Sequence, residues 1–267
     1  MQIKVSHESP ITLLEESKKY NDFDYALVHL FEKYPEYHNF FKKSLLEGRE
    51  VLLDNSIFEL GTAFDSDKFA EAVKELKPTY YIIPDVLEDG IQTVKNFNEF
   101  IKKYPNLPGK RIGVVQGKTY DELVECYKYM SDFADYIALS FNLSYYIARG
   151  RGNTKLERWC NGRIAVVQDL INDGIWNWSK PHHLLGCSLP REFFYYIANN
   201  IYNIRSIDTS NPVMAGIKDM RYAGDFGLDT KPEGLLADHL NIELTQDQKD
   251  DIFYNCRCFK SIIGRKD

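Results

Sequence analysis

The feature that most constrains the fold is a regular alternation of short apolar runs with longer amphipathic stretches along the 267-residue chain. The apolar runs have the length and composition of buried β-strands. They lie at residues 3–6, 25–30, 51–54, 80–85, 112–117, 136–141, 183–188 and 205–208. Eight strands alternating with helices indicate a parallel sheet with helical crossovers, and eight is also the number that closes a barrel. We therefore predict an α/β fold, a (β/α)8 TIM-type barrel formed as a single domain over residues 1–267.

The stretches between these runs have the periodicity of amphipathic helices. Residues 66–77 and 119–130 are two examples, and in the second of them Leu123, Tyr127 and Met130 share one helical face. An open, doubly wound sheet is the alternative arrangement of the same elements. That fold is expected to carry a glycine-rich G-x-G-x-x-G loop after an early strand, and the sequence contains none. The barrel is the favoured interpretation.

Composition and charge limit the classes of function. The net charge of −6 gives no general basic field that would attract nucleic acid without specificity, although a local basic patch remains compatible with a specific enzyme. The five cysteines are odd in number and scattered, as expected of reduced thiols. No window approaches the ~20 apolar residues of a membrane span, and the start MQIKVSHESP lacks the apolar stretch of a signal peptide. We expect a cytoplasmic protein without a membrane partner.

Polar residues recur where the apolar runs end. Those at the ends of runs are Asp54, Asp85, Gln116, Ser140 and Asp208, and Gly186 lies inside the seventh run. An aspartate at such a junction usually caps the following helix. In a (β/α)8 barrel, however, the carboxyl ends of the strands converge on the active site. Three converging carboxylates repel one another and reduce stability, so chemistry explains them better than capping does.

Six short motifs, in order between about residues 51 and 216, resemble those of the tRNA-guanine transglycosylases and their DNA-modifying relatives. LLDNSIFELG looks like the family's Asp-Ser-Gly-Gly-Phe-Gln segment, and YIIPDV looks like the segment with the base-reading aspartate. IGVVQGKTYDEL is similar to a Gly-Ile-Val-Gln-Gly stretch, and YIALSF stands where the family has Gly-Gly-Leu. HHLLGCSLPREF resembles Tyr-Leu-Met-Gly-Val-Gly-Lys-Pro, and IDTSNP resembles the nucleophile segment Phe-Asp-Cys-Val-Leu-Pro.

The resemblance implies a pentosyltransferase that replaces guanine in a polynucleotide with a 7-deazaguanine derivative. Asp208 matches the nucleophile, which attacks C1′ of the sugar, holds it covalently and then yields it to the incoming base. Asp54 is the candidate that protonates the leaving base and deprotonates the entering one. An Asx-turn with Asn55 and Ser56 is the other interpretation of Asp54.

The resemblance also implies a set of substrate-binding residues, namely Asp85, Gln116, Ser140, Phe58, Leu185 and Gly186. The carboxylate of Asp85 would accept two hydrogen bonds from N1–H and the exocyclic amine of guanine, a pattern that adenine lacks. The Gln116 amide would face the O6 or N7 side of the base, and a backbone N–H near Ser140 would add a donor. Phe58 and Leu185 match positions that sandwich the base, with ordinary core packing as the alternative.

A basic and aromatic segment, ARGRGNTKLERW at residues 148–159, follows the sixth apolar run. It brings together Arg149, Arg151, Lys155 and Arg158. A target base must leave its stack before such an enzyme can act on it, and cations interleaved with aromatic rings suit the exposed strand. We predict that these four residues bind nucleic acid; a solvated surface without a ligand is the alternative.

The chain departs from the tRNA enzymes at its C-terminal end. Those enzymes carry a zinc site of three closely spaced cysteines and a later histidine, whereas NCRCFKSIIGRKD offers only Cys256 and Cys258. A structural zinc site takes four ligands, so we predict no metal and no cofactor; His182, His183 and His239 are the remote alternative ligands. Residues 220–267, approximately, would then form a helical extension without the family's zinc site.

The missing zinc ligands and the shorter chain both resemble the compact, virus-associated members that modify DNA. We therefore expect DNA rather than tRNA as the partner, a free 7-deazaguanine base as co-substrate, and the host cytoplasm as the location if the protein is viral. Three alternatives stay open. The chain could be a tRNA-guanine transglycosylase, a non-catalytic partner subunit of one, or a barrel glycosidase or nucleotide hydrolase that releases the sugar to water. The oligomeric state is left undetermined.

Overall fold

The computed structural model describes residues 3–264, without the side chain of Asp225. Within them the strands are β1 Lys4–His7, β2 Asp24–Leu27, β3 Val51–Asp54, β4 Tyr80–Ile82, β5 Lys110–Val115, β6 Tyr136–Leu139, β7 His182–Leu184 and β8 Ile204–Thr209. All eight belong to one sheet, in the order β1-β8-β7-β6-β5-β4-β3-β2. The pairs β1–β8, β2–β3, β3–β4, β4–β5 and β5–β6 are parallel. The mixed α/β fold is of the (β/α)8 TIM type, as the sequence predicts.

Helices connect successive strands. They are α1 Leu14–Ser17, α2 Pro35–Leu46, α3 Ile57–Leu60, α4 Ser66–Leu76, α5 Gly90–Lys103, α6 Tyr120–Phe133, α7 Ser144–Arg149, α8 Lys155–Asn172, α9 Glu192–Ala198, α10 Asn211–Ile217 and α11 Gln246–Ile262. Several of them begin at a side chain that accepts from a free backbone N–H of the first turn. Thr154, for example, forms a reciprocal capping box with Glu157 at the start of α8. The buried face predicted for residues 119–130 is confirmed in α6.

The chain divides into two compact units. The central unit comprises Phe23–Tyr145 and Asn177–His182. The flanking unit comprises the residues up to Asp22, Tyr146–Trp176 and the residues from His183 onward. Each unit has its own buried apolar side chains, so each provides a rigid base for the polar residues at its strand ends.

The second apolar run is only partly a strand. We predict a strand over residues 25–30, whereas β2 ends at Leu27 and residues Val28–Leu30 form a 3₁₀ turn. Leu27 pairs with Asp54, which is the last residue of β3. Beyond that pair the neighbouring strand offers no further ladder, so the chain takes up helical hydrogen bonds instead.

The seventh run also differs from its prediction. A strand over residues 183–188 would contain Gly186, but β7 ends at Leu184 and Gly186 has a φ of 64°. A left-handed φ is incompatible with a β-strand and is readily adopted only by glycine. The placement of Gly186 within the strand is therefore wrong, and the residue instead turns the chain just beyond the strand's carboxyl end.

The fourth run is shortened in the same way. β4 ends at Ile82, before the predicted end at residue 85. Pro84 has no N–H to donate to a strand ladder, which explains the early end. Asp85 therefore lies in the loop that follows β4.

The C-terminal region of the flanking unit packs closely against the segment that follows β8. It contains 3₁₀ turns at Gly224–Phe226 and Leu236–His239 and then α11. A Cβ atom on Gly216 in α10 would lie 2.4 Å from Cγ1 of Ile252 in α11, so the two helices meet where glycine allows it. Ile252 and Cys256 share an apolar cluster with Val213 and Met214. This packing fixes α10, which begins two residues after β8 ends.

Candidate functional site

Asp85 lies at the centre of a cluster of amides in the central unit. The Nδ2 of Asn55 donates to Asp85 Oδ1 at 2.8 Å, and the Nε2 of Gln116 donates to Asp85 Oδ2 at 2.7 Å. Asn55 directly follows β3 and Gln116 directly follows β5, the two strands that flank β4. The carboxylate, only 2% exposed, is thus held on both oxygens by neutral donors.

The backbone fixes the orientation of both amides. Asn55 Oδ1 accepts from the Ile57 N–H at 3.0 Å, and Asn55 Nδ2 also reaches the Ile83 carbonyl at 3.2 Å. Gln116 Oε1 accepts from the Glu88 N–H at 2.9 Å. With each amide oxygen bonded to a backbone donor, each NH₂ group is directed at Asp85. The predicted contact of Gln116 with a base therefore depends on the second N–H of its amide.

Burial raises the pKa of Asp85 above its ordinary value, and the hydrogen bonds from Asn55 and Gln116 act in the opposite direction. No cation is among the causes of this shift. Taking the carboxylate out of water disfavours its charged form, and the neutral donors restore part of that loss. Asn55 did not emerge from the sequence as a site residue, although its place between Asp54 and Ser56 was visible in LLDNS.

Asp54 is the last residue of β3 and has a structural partner. Its Oδ2 accepts from the Ser56 N–H at 2.9 Å, and Ser56 has a φ of 62°. This is the Asx-turn that the sequence offered as the other interpretation of Asp54. The turn directs the chain from β3 into α3. A role for Asp54 in proton transfer stays a prediction.

Two aromatic rings pair in the central unit at the predicted base-sandwich residue. Phe58, in α3, is 42% exposed, and its ring centroid lies 5.8 Å from that of Phe141. Ser140 directly follows β6 and precedes Phe141 in the sequence. Its side chain is buried. A half-exposed Phe58 differs from an ordinary core residue, because a ring edge or face remains open to a ligand.

Asp208 lies in the flanking unit as the next-to-last residue of β8. The distance between its Oδ1 and His183 Nε2 is 2.9 Å, and His183 Nδ1 lies 2.8 Å from Ser206 Oγ. The Gly186 N–H points between the carboxylate oxygens, with N···O distances of 3.4 Å to Oδ1 and 3.3 Å to Oδ2. Asp208 is 5% exposed. A side-chain row of serine, histidine and aspartate therefore runs toward the end of the strand.

Asp208 does not cap the following helix. The residue at the N-terminal cap of α10 is Ser210, whose side chain makes no capping bond, and the Asn211 N–H donates instead to Thr209 Oγ1 at 3.1 Å. Capping was the usual explanation for an aspartate at this junction. The hydrogen bonds of Asp208 to His183 and Gly186 replace it as the structural explanation.

A buried ion pair holds the loop that presents the Gly186 N–H. The Arg163 guanidinium pairs with Glu192 through Nε–Oε1 and Nη2–Oε2 distances of 2.6 and 2.8 Å. It also donates to the Leu185 carbonyl at 3.2 Å and to the Gly186 carbonyl at 3.0 Å. Both charged side chains are fully buried. The pair therefore stabilises the loop and is not a solvent-exposed surface ion pair. The backbone carbonyl of Leu185, a predicted substrate-binding residue, is thus held by a hydrogen bond from Arg163.

Lys231 adds a cation to the flanking unit. Burial lowers its pKa, whereas negative charge on Cys187, Glu8 and Asp208 acts in the opposite direction. Neither Lys231 nor the His183 and Arg163 contacts emerged from the sequence pattern.

The basic segment is exposed, and its side chains have local partners. Arg149 forms a two-bond pair with Asp169, with both N···O distances at 3.0 Å. Lys155 Nζ lies 4.4 Å from the centre of the Trp159 ring. Arg158 Nε donates to the Gly152 carbonyl at 3.2 Å, and Arg151 is exposed in the loop before α8.

Two glycines determine the shape of this segment. A Cβ atom on Gly150 would lie 2.0 Å from the Arg158 carbonyl oxygen, and one on Gly162 would lie 2.1 Å from the Tyr146 carbonyl oxygen. The backbones of α7 and α8 therefore approach more closely than any side chain permits. The four predicted cations lie on these two helices and on the loop between them.

The predicted zinc alternatives have other partners. Cys256 is buried in the apolar cluster of α10 and α11, and both ring nitrogens of His183 are hydrogen bonded. His182 Nε2 lies 2.7 Å from the Tyr127 hydroxyl. Among residues 3–264, no three histidine, cysteine or acidic side chains are grouped so that they could hold a metal ion. None of the helices in that range is long and apolar enough to cross a membrane.

The structure brings Asp85 and Gln116 together within the central unit, and Asp208 and Gly186 together within the flanking unit. The chain matches no protein-family model and has no significant match among curated proteins. The transglycosylase resemblance therefore rests on the sequence motifs alone.

Proposed function

We propose that this chain is a base-exchange transglycosylase that replaces guanine in a polynucleotide with a 7-deazaguanine derivative. The observation that carries the proposal is the environment of Asp208. Its Oδ1 lies 2.9 Å from His183 Nε2, whereas the contact of its Oδ2 with the Gly186 N–H is long, at 3.3 Å. A carboxylate with one oxygen anchored and the other lightly bound suits nucleophilic attack.

The reaction takes place in two displacements. The Asp208 carboxylate bonds to C1′ of the sugar as the bond from C1′ to guanine N9 breaks, and the departing base takes a proton from an acid, for which Asp54 is the candidate. The incoming base then loses its proton and bonds to C1′ while the bond to Asp208 breaks. Two inversions at C1′ retain the configuration. No external oxidant or cofactor is required.

Asp85 is assigned to recognition of the base. A carboxylate has about four lone-pair sites, and Asn55 and Gln116 use one on each oxygen. The remaining sites suit N1–H and the exocyclic amine of guanine or a 7-deazaguanine, and adenine lacks that donor pair. Because Asp85 is 2% exposed, the proposal requires neighbouring side chains to move when the base binds.

A polynucleotide is the proposed partner because the exposed segment around Arg151 places cations beside aromatic rings. We propose DNA rather than tRNA, since Cys256 packs in an apolar cluster and NCRCF offers two closely spaced cysteines where the tRNA enzymes have three. The following experiment distinguishes DNA from tRNA as the substrate.

The purified protein is incubated with a labelled 7-deazaguanine base and equal amounts of duplex DNA, single-stranded DNA and unmodified tRNA, and nucleosides are then analysed by mass spectrometry. We expect incorporation into DNA with release of one guanine per base inserted. Incorporation into tRNA alone would assign the chain to the tRNA enzymes. Guanine release without incorporation would identify a hydrolase, and neither event with any polynucleotide would favour a non-catalytic subunit.

The recognition half of the proposal is tested by Asp85→Ala. Loss of the carboxylate leaves the amide donors and the donors of a bound base unpaired, which lowers base affinity by roughly 1–3 kcal/mol. Competition by free guanine-like bases should weaken accordingly, and competition by adenine should stay absent. Unchanged competition by guanine in a folded variant would show that Asp85 does not bind the base.

A further inference from the structure

His183 is fully buried, and both of its ring nitrogens are engaged. Nδ1 lies 2.8 Å from Ser206 Oγ, and Nε2 lies 2.9 Å from Asp208 Oδ1. The exposed fraction of the His183 side chain is 0%, compared with 7% for the Asp208 side chain. Asp208 is therefore more exposed than His183, which lies behind it.

We propose that His183 is a positioning residue that fixes Asp208 so that Oδ2 is the attacking oxygen. This inference rests on the proposed function, because it assigns the geometry of that function's nucleophile. A carboxylate oxygen only accepts hydrogen bonds, so Nε2 carries the proton that bonds to Oδ1. In the proposed arrangement Nδ1 accepts from the Ser206 hydroxyl, which corresponds to the Nε2–H tautomer of the ring.

The two carboxylate oxygens are unequal in this arrangement. Oδ1 receives the 2.9 Å bond from His183, whereas the Gly186 N–H lies 3.3 Å from Oδ2 and 3.4 Å from Oδ1. A shared and long N–H contact is weak compared with an aligned bond near 2.9 Å. Oδ2 therefore keeps more of its electron density for the bond to C1′.

The same hydrogen bond persists through the reaction without proton transfer. When Oδ2 bonds to C1′, Oδ1 becomes the carbonyl oxygen of the glycosyl ester, and it still accepts from His183 Nε2–H. When the ester bond breaks, the electron pair returns to the carboxylate and the ring is unchanged. His183 is too deeply buried to reach the substrate as an acid or base, so its contribution is to hold and orient Asp208.

The loop of Gly186 provides a second donor to Asp208. Arg163 donates to the Leu185 and Gly186 carbonyls at 3.2 and 3.0 Å, so the peptide groups of the turn are fixed. With a φ of 64° at Gly186, the N–H of that residue points to Asp208. The carboxylate is thus held between a side-chain donor and a backbone donor.

Two substitutions separate a positioning role from a packing role. His183→Gln keeps a donor near the place of Nε2, whereas His183→Leu fills similar space without one. We expect His183→Leu to lower kcat about 10- to 100-fold, since it removes a hydrogen bond to a charged group. KM for the free base should stay unchanged, and His183→Gln should recover most of the rate. His38→Gln, at a histidine stacked on Phe31 in the central unit, is the matched control.

A second measurement does not depend on activity. Nuclear magnetic resonance of ¹⁵N-histidine in the folded protein should assign His183 as the neutral Nε2–H tautomer, and Ser206→Ala should perturb the Nδ1 resonance most. An Nδ1–H tautomer, or equal loss of rate in folded His183→Gln and His183→Leu, would overturn the positioning role. A wild-type protein with the expected tautomer but no exchange on any polynucleotide would overturn the proposed function and not the arrangement.

Discussion

Asp85 and Asp208 are both buried carboxylates near strand ends, and they differ in what holds them. In the central unit, Asp85 has an amide donor on each oxygen, from Asn55 and Gln116. In the flanking unit, Asp208 has an imidazole on Oδ1, and the Gly186 N–H contact of its Oδ2 is long, at 3.3 Å. Symmetrical binding fixes a carboxylate as a rigid acceptor, whereas one-sided binding leaves an oxygen able to form a bond. The different tasks proposed for these two aspartates fit this difference in their partners.

The largest effect expected from this comparison is that of Asp208→Asn. The amide keeps the size of the side chain and removes the nucleophile, so exchange should fall by at least ~10³-fold while the fold is retained. The rate of base incorporation into DNA measures it. Asp219→Asn is the matched control, because Asp219 is exposed at a φ of 54° that asparagine also adopts. A near-normal exchange rate in Asp208→Asn would show that Asp208 is not the nucleophile.

The next effect separates the two interpretations of Asp54. Asp54→Asn keeps an oxygen that accepts from the Ser56 N–H, so we expect the Asx-turn and the fold to be retained. If Asp54 transfers the proton of the base, the exchange rate should still fall by about 10²- to 10⁴-fold. Denaturant unfolding and the incorporation rate are measured on the same preparation. A normal rate in a stable variant would restrict Asp54 to its turn.

A smaller effect tests the symmetrical binding of Asp85. Gln116→Met removes the donor to Asp85 Oδ2 and should reduce the free energy of unfolding by roughly 1–3 kcal/mol at neutral pH. Gln92→Met in α5 is the control, since the Gln92 amide bonds only to the partly exposed Asn96 side chain among the described residues. Equal destabilisation of both variants would contradict a special role for the amides.

The pH dependence of that loss has a defined sign. Burial raises the folded-state pKa of Asp85, so the folded state binds more protons than the unfolded chain, and stability falls as pH rises from the ordinary aspartate pKa through the raised one. Removal of the Gln116 donor raises this pKa further. The loss in Gln116→Met should therefore be smaller in acid, where Asp85 is protonated, than at neutral pH. A loss that is independent of pH would mean that Gln116 does not act on the charge of Asp85.

The smallest effect concerns the surface arginines. Their substitution should not change the binding of the free base. Arg151→Ala should lower the salt slope of DNA binding by about one unit if Arg151 contacts one phosphate. Arg149→Ala should change it less, because Asp169 already neutralises much of the Arg149 charge. Binding titrations over a range of salt concentrations measure both. Altered free-base binding in either variant would contradict the separation of the surface from the buried clusters.

The eight-strand α/β architecture was predictable because apolar runs of strand length alternate with helical periodicity. β3 agrees with its prediction to the residue, since Asp54 ends the run and the turn at Ser56 follows at once. The seventh run misled because LLGCS is apolar, while the left-handed turn at Gly186 is determined by backbone conformation and not by hydrophobicity. Strand length thus follows from composition only where a polar residue marks the end.

The partners of the two carboxylates were not predictable in the same way. Asn55 and Gln116 reach Asp85 because β3 and β5 flank β4, and His183 reaches Asp208 although 25 positions separate them in sequence. Such contacts depend on strand order and register, which a single sequence does not encode locally. The buried pair of Arg163 and Glu192 was not predictable either, because charged residues in helices usually face solvent.

The hydrogen bonds around Asn55 also bear on how long the protein stays chemically intact. An asparagine deamidates when the backbone nitrogen of the next residue attacks its side-chain carbonyl carbon. In the fold, that nitrogen belongs to Ser56 and donates to Asp54 Oδ2, while Asn55 Oδ1 is held by the Ile57 N–H. Conversion of Asn55 to aspartate would set a second negative charge against Asp85. The turn after β3 is therefore expected to slow deamidation of Asn55 while the chain is folded. Unfolding releases both hydrogen bonds and exposes Asn55 to deamidation.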